Sequence, residues 1–261
     1  MVYKYVFKSQ FLGTNFCGSQ WQPNGRTVQE ELEKAFFVYF KQAVKVVLGS
    51  RVDSGVHARG MIGHFVLDYD FSIDKNNENK VLCNLNGILP KDLSILRISR
   101  IHDSFHSIKD AIKRSYIYKL RAHAPRSPLD ESQVEYFYQA NPLKIDSLNF
   151  QSEKLLGSHD FSGLSNFNGR EVYSVCNVTK SFWEIDLDNN GLFVFKVSAN
   201  RFLYNMIRVI VGTQIAIENG KLSVCSLENA LKYKDRNLAG PTAQPKGLCL
   251  EAINYHFPLF D

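Results

Sequence analysis

The sequence predicts an α+β fold with two domains, each an antiparallel sheet backed by helices, and an active-site cleft between them. Strand-like and helix-like segments are interleaved along the chain in an order too mixed for a parallel wound sheet. This pattern begins a second time at about residue 110, and 261 residues suffice for two medium domains. We therefore assign the domains to residues 1–109 and 110–261, although no linker rich in Pro, Gly or Ser marks the boundary.

The first half contains alternating patterns typical of strands and one well-marked helix start. Tyr3, Tyr5 and Phe7 alternate with other residues in a strand of residues 2–7. Thr27 begins a helix, because Glu30 completes a capping box three residues later. The other elements predicted are strands at about 43–48, 61–67 and 93–101, and a short helix entered from the polar stretch 74–80.

The second half repeats these signals. Tyr116, Tyr118 and Leu120 lie on one face of a predicted strand. A long apolar helix over residues 202–217 ends at Asn219-Gly220, a suitable C-cap. The other elements predicted are a helix starting near Pro142-Leu143, a hairpin whose turn is Asp188-Asn189-Asn190-Gly191, and a last strand over 248–255.

Composition indicates a globular protein with a modest basic excess. Hydrophobic residues make up 44% and charged residues 22%, and the formal net charge is +5, which permits a polyanionic partner. The five cysteines are scattered, with no C-x-x-C pair, which argues against a disulfide framework or a structural zinc site and suits a reducing compartment. With no signal peptide and no apolar run long enough to span a bilayer, we expect a soluble cytoplasmic protein without a membrane partner.

The loop of residues 49–58 concentrates reactive side chains. It holds Arg51, Asp53 and His57 between two strand-like runs, together with two glycines that allow tight turns. An aspartate on such a turn can act as a nucleophile when a nearby arginine favours its ionised form. The alternative is an ordinary surface turn, in which Asp and Gly are common for conformational reasons.

The loop resembles the G-R-T-D-x-G-V-H-A signature of the tRNA pseudouridine synthase A family, in which the aspartate is catalytic. Other segments resemble further motifs of that family in the same order. They are the segments 11–20, 27–33, Phe105-His106, 114–118, His159-Asp160-Phe161, 200–208, and 238–248.

The resemblance implies a fold, an activity and a set of site residues. It implies RNA-recognition-motif-like cores, uridine isomerisation in the anticodon arm of tRNA (positions 38 to 40 in the family), a homodimer, and no cofactor or metal. Asp53 is then the nucleophile, Tyr116 stacks on the target base, and Arg208 keeps Asp53 ionised. Arg51 enters the space of the flipped-out base and Arg114, in a basic segment with aromatics, contacts the RNA.

The chain departs from the family pattern at a few positions, which bear on substrate range and affinity. These are Leu12 for aspartate, Ser19 for tryptophan, Ser50 for glycine, Val52 for threonine, and Ile108 for arginine.

Simpler interpretations remain open for single residues. Tyr116 and Tyr118 can be core residues, Arg208 can pair with another acid, and Arg51 can be a solvated loop residue. His57 and His64 form no metal site by themselves, because a third ligand is missing nearby. We expect His57 to pack or hydrogen-bond instead.

Two other functions also remain open. One is a catalytically inactive RNA-binding protein or RNA chaperone of the same fold. The other is a nucleoside or glycoside hydrolase, which usually needs a second carboxylate near the first. Asp68 and Asp70, the nearest candidates along the chain, lie beyond the following strand.

Overall fold

The computed structural model describes residues 2–74, 77–122, 125–137, 143–166, 173–186 and 191–260. Within these ranges the chain forms strands and α-helices in a mixed order. They are β1 (Tyr3–Phe11), α1 (Val28–Phe40), β2 (Val47–Leu48), β3 (His57–Leu67), α2 (Glu78–Ile88), β4 (Leu93–Arg100), β5 (Lys113–Ala122), β6 (Glu135–Phe137), α3 (Ile145–Glu153), β7 (Gly157–Asp160), β8 (Val175–Asp186), β9 (Leu192–Ala199), α4 (Met206–Glu218), α5 (Ser226–Tyr233) and β10 (Leu248–Asn254). The predicted α+β class is confirmed.

The chain divides by its contacts into two units. The first unit is Met1–Lys113 with Cys249–Asp261, and the second is Arg114–Leu248. The predicted domains instead placed all of residues 110–261 together. The last segment belongs to the first unit because β10 pairs in parallel with β3, through Cys249 opposite His57 and Leu250 opposite Ala58.

In the first unit, β1 lies between β3 and β4 and is antiparallel to both. Aromatic side chains from β1, β3 and α1 form the core, with the Phe36 and Phe65 ring centroids 4.5 Å apart. Thr27 is the N-cap of α1 and its side chain accepts a hydrogen bond from the Glu30 N–H, as predicted. The strand expected at 43–48 is reduced to Val47–Leu48, because the Val46 N–H donates to the Glu33 carboxylate instead of to a sheet partner.

In the second unit, β9 lies between β5 and β8, antiparallel to both, and β7 continues the sheet beyond β8. Helix α4 is almost entirely buried. The Trp183 Nε1–H on β8 donates to Gln214 on α4, and the Gln214 Nε2 donates to Ser152 on α3. This chain of bonds fixes α3 and α4 against the sheet, because each buried polar group finds a partner.

The element boundaries of the second unit differ from the predictions at several points. Helix α4 begins at Met206 rather than at residue 202, because Asn205 has a left-handed φ of 59° that interrupts helical geometry. It ends where predicted, and Gly220 has a φ of +69°. β8 and β9 flank the predicted hairpin turn, whose residues 188–190 lie outside the described part, as does Pro142. The sequence did not predict β6, β7 or α5.

Candidate active site

The loop of residues 49–58 links β2 to β3 and carries Asp53 on a tight turn. The Val56 N–H donates to the Asp53 carbonyl oxygen at 3.1 Å. Gly55 has a φ of +79°, which glycine adopts without steric cost. Asp53 is half-buried and Arg51 is exposed, so the turn presents a carboxylate and an arginine from neighbouring positions.

Residues 16–19 hold this turn on both sides of Asp53. The Ser19 N–H donates to the Val52 carbonyl at 2.9 Å, and the Val52 N–H donates to Ser19 Oγ at 2.9 Å. On the other side, the Phe16 carbonyl accepts the Ser54 hydroxyl at 3.2 Å and the Gly55 N–H at 3.4 Å. The backbone before and after Asp53 is therefore fixed by contacts from an earlier part of the chain.

Gly13 approaches the end of the loop more closely than any other residue type could. A Cβ atom at Gly13 would lie 2.0 Å from the Val56 carbonyl oxygen. The Gly13 N–H donates to His57 Nδ1 at 2.9 Å, and His57 is 2% exposed. The Nδ1 atom of His57 therefore carries no proton in this bond. As expected, His57 packs and hydrogen-bonds.

In the second unit, Tyr116 and Tyr118 lie on β5 and are both buried. The Tyr118 hydroxyl donates to the Gln244 carbonyl at 2.9 Å. Burial raises the pKa of Tyr118, the charge of Glu135 raises it further, and Arg208 opposes both. Tyr118 is thus a core residue, as expected. Tyr116 retains 6% exposure and contacts the Phe202 ring edge-on, with centroids 5.3 Å apart.

Arg208 lies in the first turn of α4 and is half-buried. Its Nε–H donates to the Ala243 carbonyl at 2.8 Å, and one terminal nitrogen donates to Asn205 Oδ1 at 2.7 Å. In return, the Ala243 N–H donates to the Arg208 carbonyl at 3.0 Å. These bonds leave the guanidinium little rotational freedom, because its donors are arranged in a rigid plane.

Arg114 is the second residue of β5, the strand that carries Tyr116, and lies opposite Ala199 on β9. One of its terminal nitrogens donates to the Asn200 carbonyl at 2.8 Å. The structure thus places Arg51 and Asp53 in the first unit and Arg114, Tyr116 and Arg208 in the second.

Comparison with known proteins identifies the family. The family model described as tRNA pseudouridine synthase matches residues 152–256, which include Arg208. A tRNA pseudouridine synthase A from Paraburkholderia phymatum is 34% identical over 247 residues, covering 94% of this chain and 88% of the relative. The Streptococcus pneumoniae enzyme of the same name is 34% identical over 254 residues, covering 97% of this chain and 98% of the relative.

The chain belongs to the tRNA pseudouridine synthase A family. This confirms the predicted resemblance and the predicted class of enzyme, an isomerase that modifies tRNA.

Two departures from the family motif contact each other in this member of the family. Ser19, where the motif has tryptophan, forms both hydrogen bonds to the backbone of Val52, where the motif has threonine. By contrast, Leu12 and Ile108 have exposed side chains, 40% and 48% accessible. The serine at position 19 therefore contributes to holding the Asp53 turn, whereas Leu12 and Ile108 lie on the surface.

Sequence reasoning missed several residues that hold the predicted site residues. These are Ser19, Asn205 and Ala243. Arg26 acts one step further away, through Phe16, whose carbonyl accepts hydrogen bonds from the Asp53 turn. Arg26 binds both carboxylate oxygens of Asp92, at 2.8 and 2.9 Å, and its guanidinium lies 4.3 Å from the Phe16 ring centroid. Ser19, Asn205 and Ala243 lie in segments that resemble family motifs, yet nothing in the sequence marks their contacts or the left-handed conformation of Asn205. The other contacts join distant segments and leave no local signal.

Several arginines form ion pairs with carboxylates of the same chain. These are Arg26, Arg59, Arg97, Arg100, Arg121 and Arg126. Their role is at least partly structural.

Among the described residues, none of the helices combines the length and apolar character needed to cross a membrane. The same residues contain no cluster of three His, Cys, Asp or Glu side chains arranged to hold a metal ion.

Proposed function

We propose that this chain converts uridine to pseudouridine in the anticodon arm of tRNA, with Asp53 as the nucleophile. The observation that carries the proposal is the turn itself. A half-buried carboxylate is presented on a loop whose backbone is hydrogen-bonded on both sides, and pre-positioning of a reacting group is a large part of catalysis.

The reaction is an isomerisation without net gain or loss of atoms. The N1–C1′ bond of uridine breaks, the base turns, and C1′ bonds to C5. The proton on C5 leaves to solvent, and N1 takes up a proton. The Asp53 carboxylate attacks C1′ of the ribose or C6 of the base, and departs again when the C–C bond has formed.

Two other predicted residues, Arg208 and Tyr116, would assist this step. Arg208, held by Ala243 and Asn205, would favour the ionised carboxylate of Asp53, since an adjacent positive charge stabilises the charged form. Tyr116, supported edge-on by Phe202, would stack on the uracil ring.

The arginines would act on the RNA. A uridine within a paired or stacked arm must leave the stack before it reacts. Arg51 is exposed beside Asp53 and is long enough to fill the vacated space. Arg114 would contact phosphate, which makes binding sensitive to salt.

The test is tritium release from tRNA transcripts that carry tritium at uracil C5. We expect wild-type protein to release tritium and Asp53→Ala to be at least roughly 10⁴-fold slower, as for loss of other catalytic nucleophiles. Asp68→Ala is the matched control, because Asp68 is an exposed carboxylate at the far end of β3. It should match the wild type.

Alternative functions give different results in the same experiment. Tritium retention by wild-type protein that still binds tRNA would support an inactive RNA-binding protein. Release of free uracil would support a hydrolase. Transcripts with cytidine at one of positions 38 to 40 identify the modified uridines, and release that persists without uridines there would contradict anticodon-arm specificity.

The proposal includes a homodimer, as the family resemblance implies, in the cytoplasm, which the scattered cysteines suit. Two-fold pairs are the commonest oligomers. Sedimentation equilibrium over a range of concentrations should give twice the chain mass of 29.8 kDa. A mass that stays at one chain would reject the dimer and leave the isomerase proposal untouched.

A further inference from the structure

Ser19 links the Asp53 turn to the start of helix α1. It is 1% exposed, and each of its polar groups has a partner. Its N–H donates to the Val52 carbonyl, its Oγ accepts the Val52 N–H, and its carbonyl accepts the Gln29 N–H at 3.0 Å. One small residue thus connects a helix terminus, through its backbone carbonyl, with the residue before Asp53.

The hydroxyl of Ser19 accepts the Val52 N–H, a bond that the Ser19 backbone does not make. Any residue at position 19 could donate its N–H to the Val52 carbonyl, but only a side chain with an acceptor can also receive the Val52 N–H. Val52 is 5% exposed, so water cannot readily replace that acceptor. Without it, the peptide N–H would be buried and unsatisfied, and the turn would shift to regain a partner.

The position of the Asp53 side chain depends on this peptide. Phe16 fixes the backbone after Asp53, through Ser54 and Gly55, and Ser19 fixes the backbone before it. With both ends held, the direction of the Asp53 Cα–Cβ bond is set.

We infer that Ser19 is a positioning residue for the isomerisation, acting through the Val52 peptide to orient the Asp53 carboxylate. This inference rests on the proposed role of Asp53. It concerns a departure from the family motif, which has tryptophan at position 19, and an indole has a donor but no acceptor for the Val52 N–H.

The expected effect of Ser19→Ala is a lower kcat with an unchanged KM for tRNA. The substitution leaves the exposed arginines unaltered, so binding should persist. A buried N–H without a partner, or a displaced nucleophile, should reduce kcat roughly fivefold or more.

The matched control is Ser9→Ala. Ser9 lies on β1 in the same unit and is fully buried, and its hydroxyl has no hydrogen-bond partner among the described residues. The two substitutions delete the same buried group from one unit, but only one of them touches the Asp53 turn. Steady-state kinetics by tritium release and thermal unfolding are measured for both, alongside Asp53→Ala.

A second pair of variants at position 19 tests the inference even if Ser19→Ala folds poorly. Ser19→Thr and Ser19→Val add the same bulk, but only threonine keeps an acceptor oxygen. We expect kcat of Ser19→Thr to exceed that of Ser19→Val by roughly fivefold or more, at equal KM.

The outcomes separate this inference from the proposed function. Equal kcat for Ser19→Ala and Ser9→Ala, or for Ser19→Thr and Ser19→Val, would overturn the inference about Ser19. If Asp53→Ala is inactive in the same experiment, the proposal that Asp53 is the nucleophile still stands. A loss in Ser19→Ala that appears in KM alone would also overturn it. Full activity of Asp53→Ala would overturn the proposed nucleophile, and the inference with it.

Discussion

Asp53 and Arg208 are the two charged side chains at the centre of the predicted site, and the chain holds them in different ways. Around Asp53, the backbone of the turn is held by contacts with Gly13, Phe16 and Ser19. Around Arg208, the side chain itself is held, through hydrogen bonds from the guanidinium to Asn205 and Ala243.

This difference explains which residues in each region can vary. A turn held through its backbone requires small residues at close approaches and tolerates changes in side chains that point outward, such as Ser50 in place of glycine. An arginine held through its planar donors requires arginine itself, because lysine carries a single charged nitrogen. Single substitutions can test these two requirements, and the strongest effect is expected at Gly13.

Gly13→Ala should lower the activity more than any substitution around Arg208. Its Cβ would lie 2.0 Å from the Val56 carbonyl oxygen, so the turn must move. A displacement of about 1 Å in a reacting group can lower the rate roughly 100-fold, and forced overpacking should reduce the free energy of unfolding by about 1–3 kcal/mol. Tritium-release kinetics and urea unfolding measure the two effects.

Gly87→Ala is the matched control for this substitution. Gly87 lies in α2, and a Cβ there would have no atom within 4 Å. Alanine should raise the free energy of unfolding by about 0.5–1 kcal/mol and leave activity unchanged. If Gly13→Ala were as active as Gly87→Ala, the turn would not depend on close backbone contact.

Arg208→Lys tests the other mode of holding. An ammonium group cannot reproduce both bonds, and loss of one charged hydrogen bond costs about 1.5–3 kcal/mol. We therefore expect kcat to fall roughly 10- to 100-fold, measured by tritium release at saturating tRNA.

Asn205→Gly sharpens this test. Glycine accepts the left-handed φ of 59° found at Asn205 but removes the acceptor for Arg208, so it should show a smaller loss of the same kind. Wild-type kcat in Arg208→Lys would mean that charge alone suffices at this position.

The two units should also differ in how their stability responds to acid. In the first unit, burial, with His106 and Lys4 nearby, lowers the pKa of His64 from 6.5 to about 4, while Asp110 opposes the shift. The Nδ1 atom of His64 accepts a hydrogen bond from the Ser107 N–H and lies within hydrogen-bond distance of the Ser107 hydroxyl. Because the unfolded chain binds this proton more readily, stability should decrease as pH falls from about 6.5 towards 4.

The expected loss from this group between pH 8 and pH 5 is about 2 kcal/mol in the free energy of unfolding. His64→Asn, which lacks the titrating ring, should lose correspondingly less, and urea unfolding at both pH values gives the difference. An identical pH dependence in the two proteins would mean that His64 does not contribute. In the second unit, burial raises the pKa of Glu135. The folded chain therefore binds this proton more readily than the unfolded chain, and this group should favour folding as the pH falls.

Much of the fold followed from local sequence signals. The capping box at Thr27, the alternation in β1 and β5, and the glycine after α4 identified elements that the structure contains. The predicted boundaries were wrong where a distant or unusual contact intervened. Glu33 takes the Val46 N–H away from a strand, and the left-handed Asn205 delays the start of α4.

The site was predicted unevenly for the same reason. The residue types in the loop of Asp53, and the motif resemblance around Tyr116 and Arg208, named the side chains that we propose for the chemistry. They did not identify Ser19 or Ala243, whose contributions arise from hydrogen bonds across 33 and 35 residues of chain. No periodicity or spacing reports such bonds.

By itself the sequence determined the α+β class, the main helices and strands, and the family, because these depend on propensities, caps and motifs that extend over a few residues. The pairing of β10 with β3 in the first unit, the contacts of Gly13 and Ser19 with the Asp53 turn, and the bond from Arg208 to Ala243 became evident only from the folded chain. Those contacts join segments far apart in the chain, and packing of the whole fold brings them together.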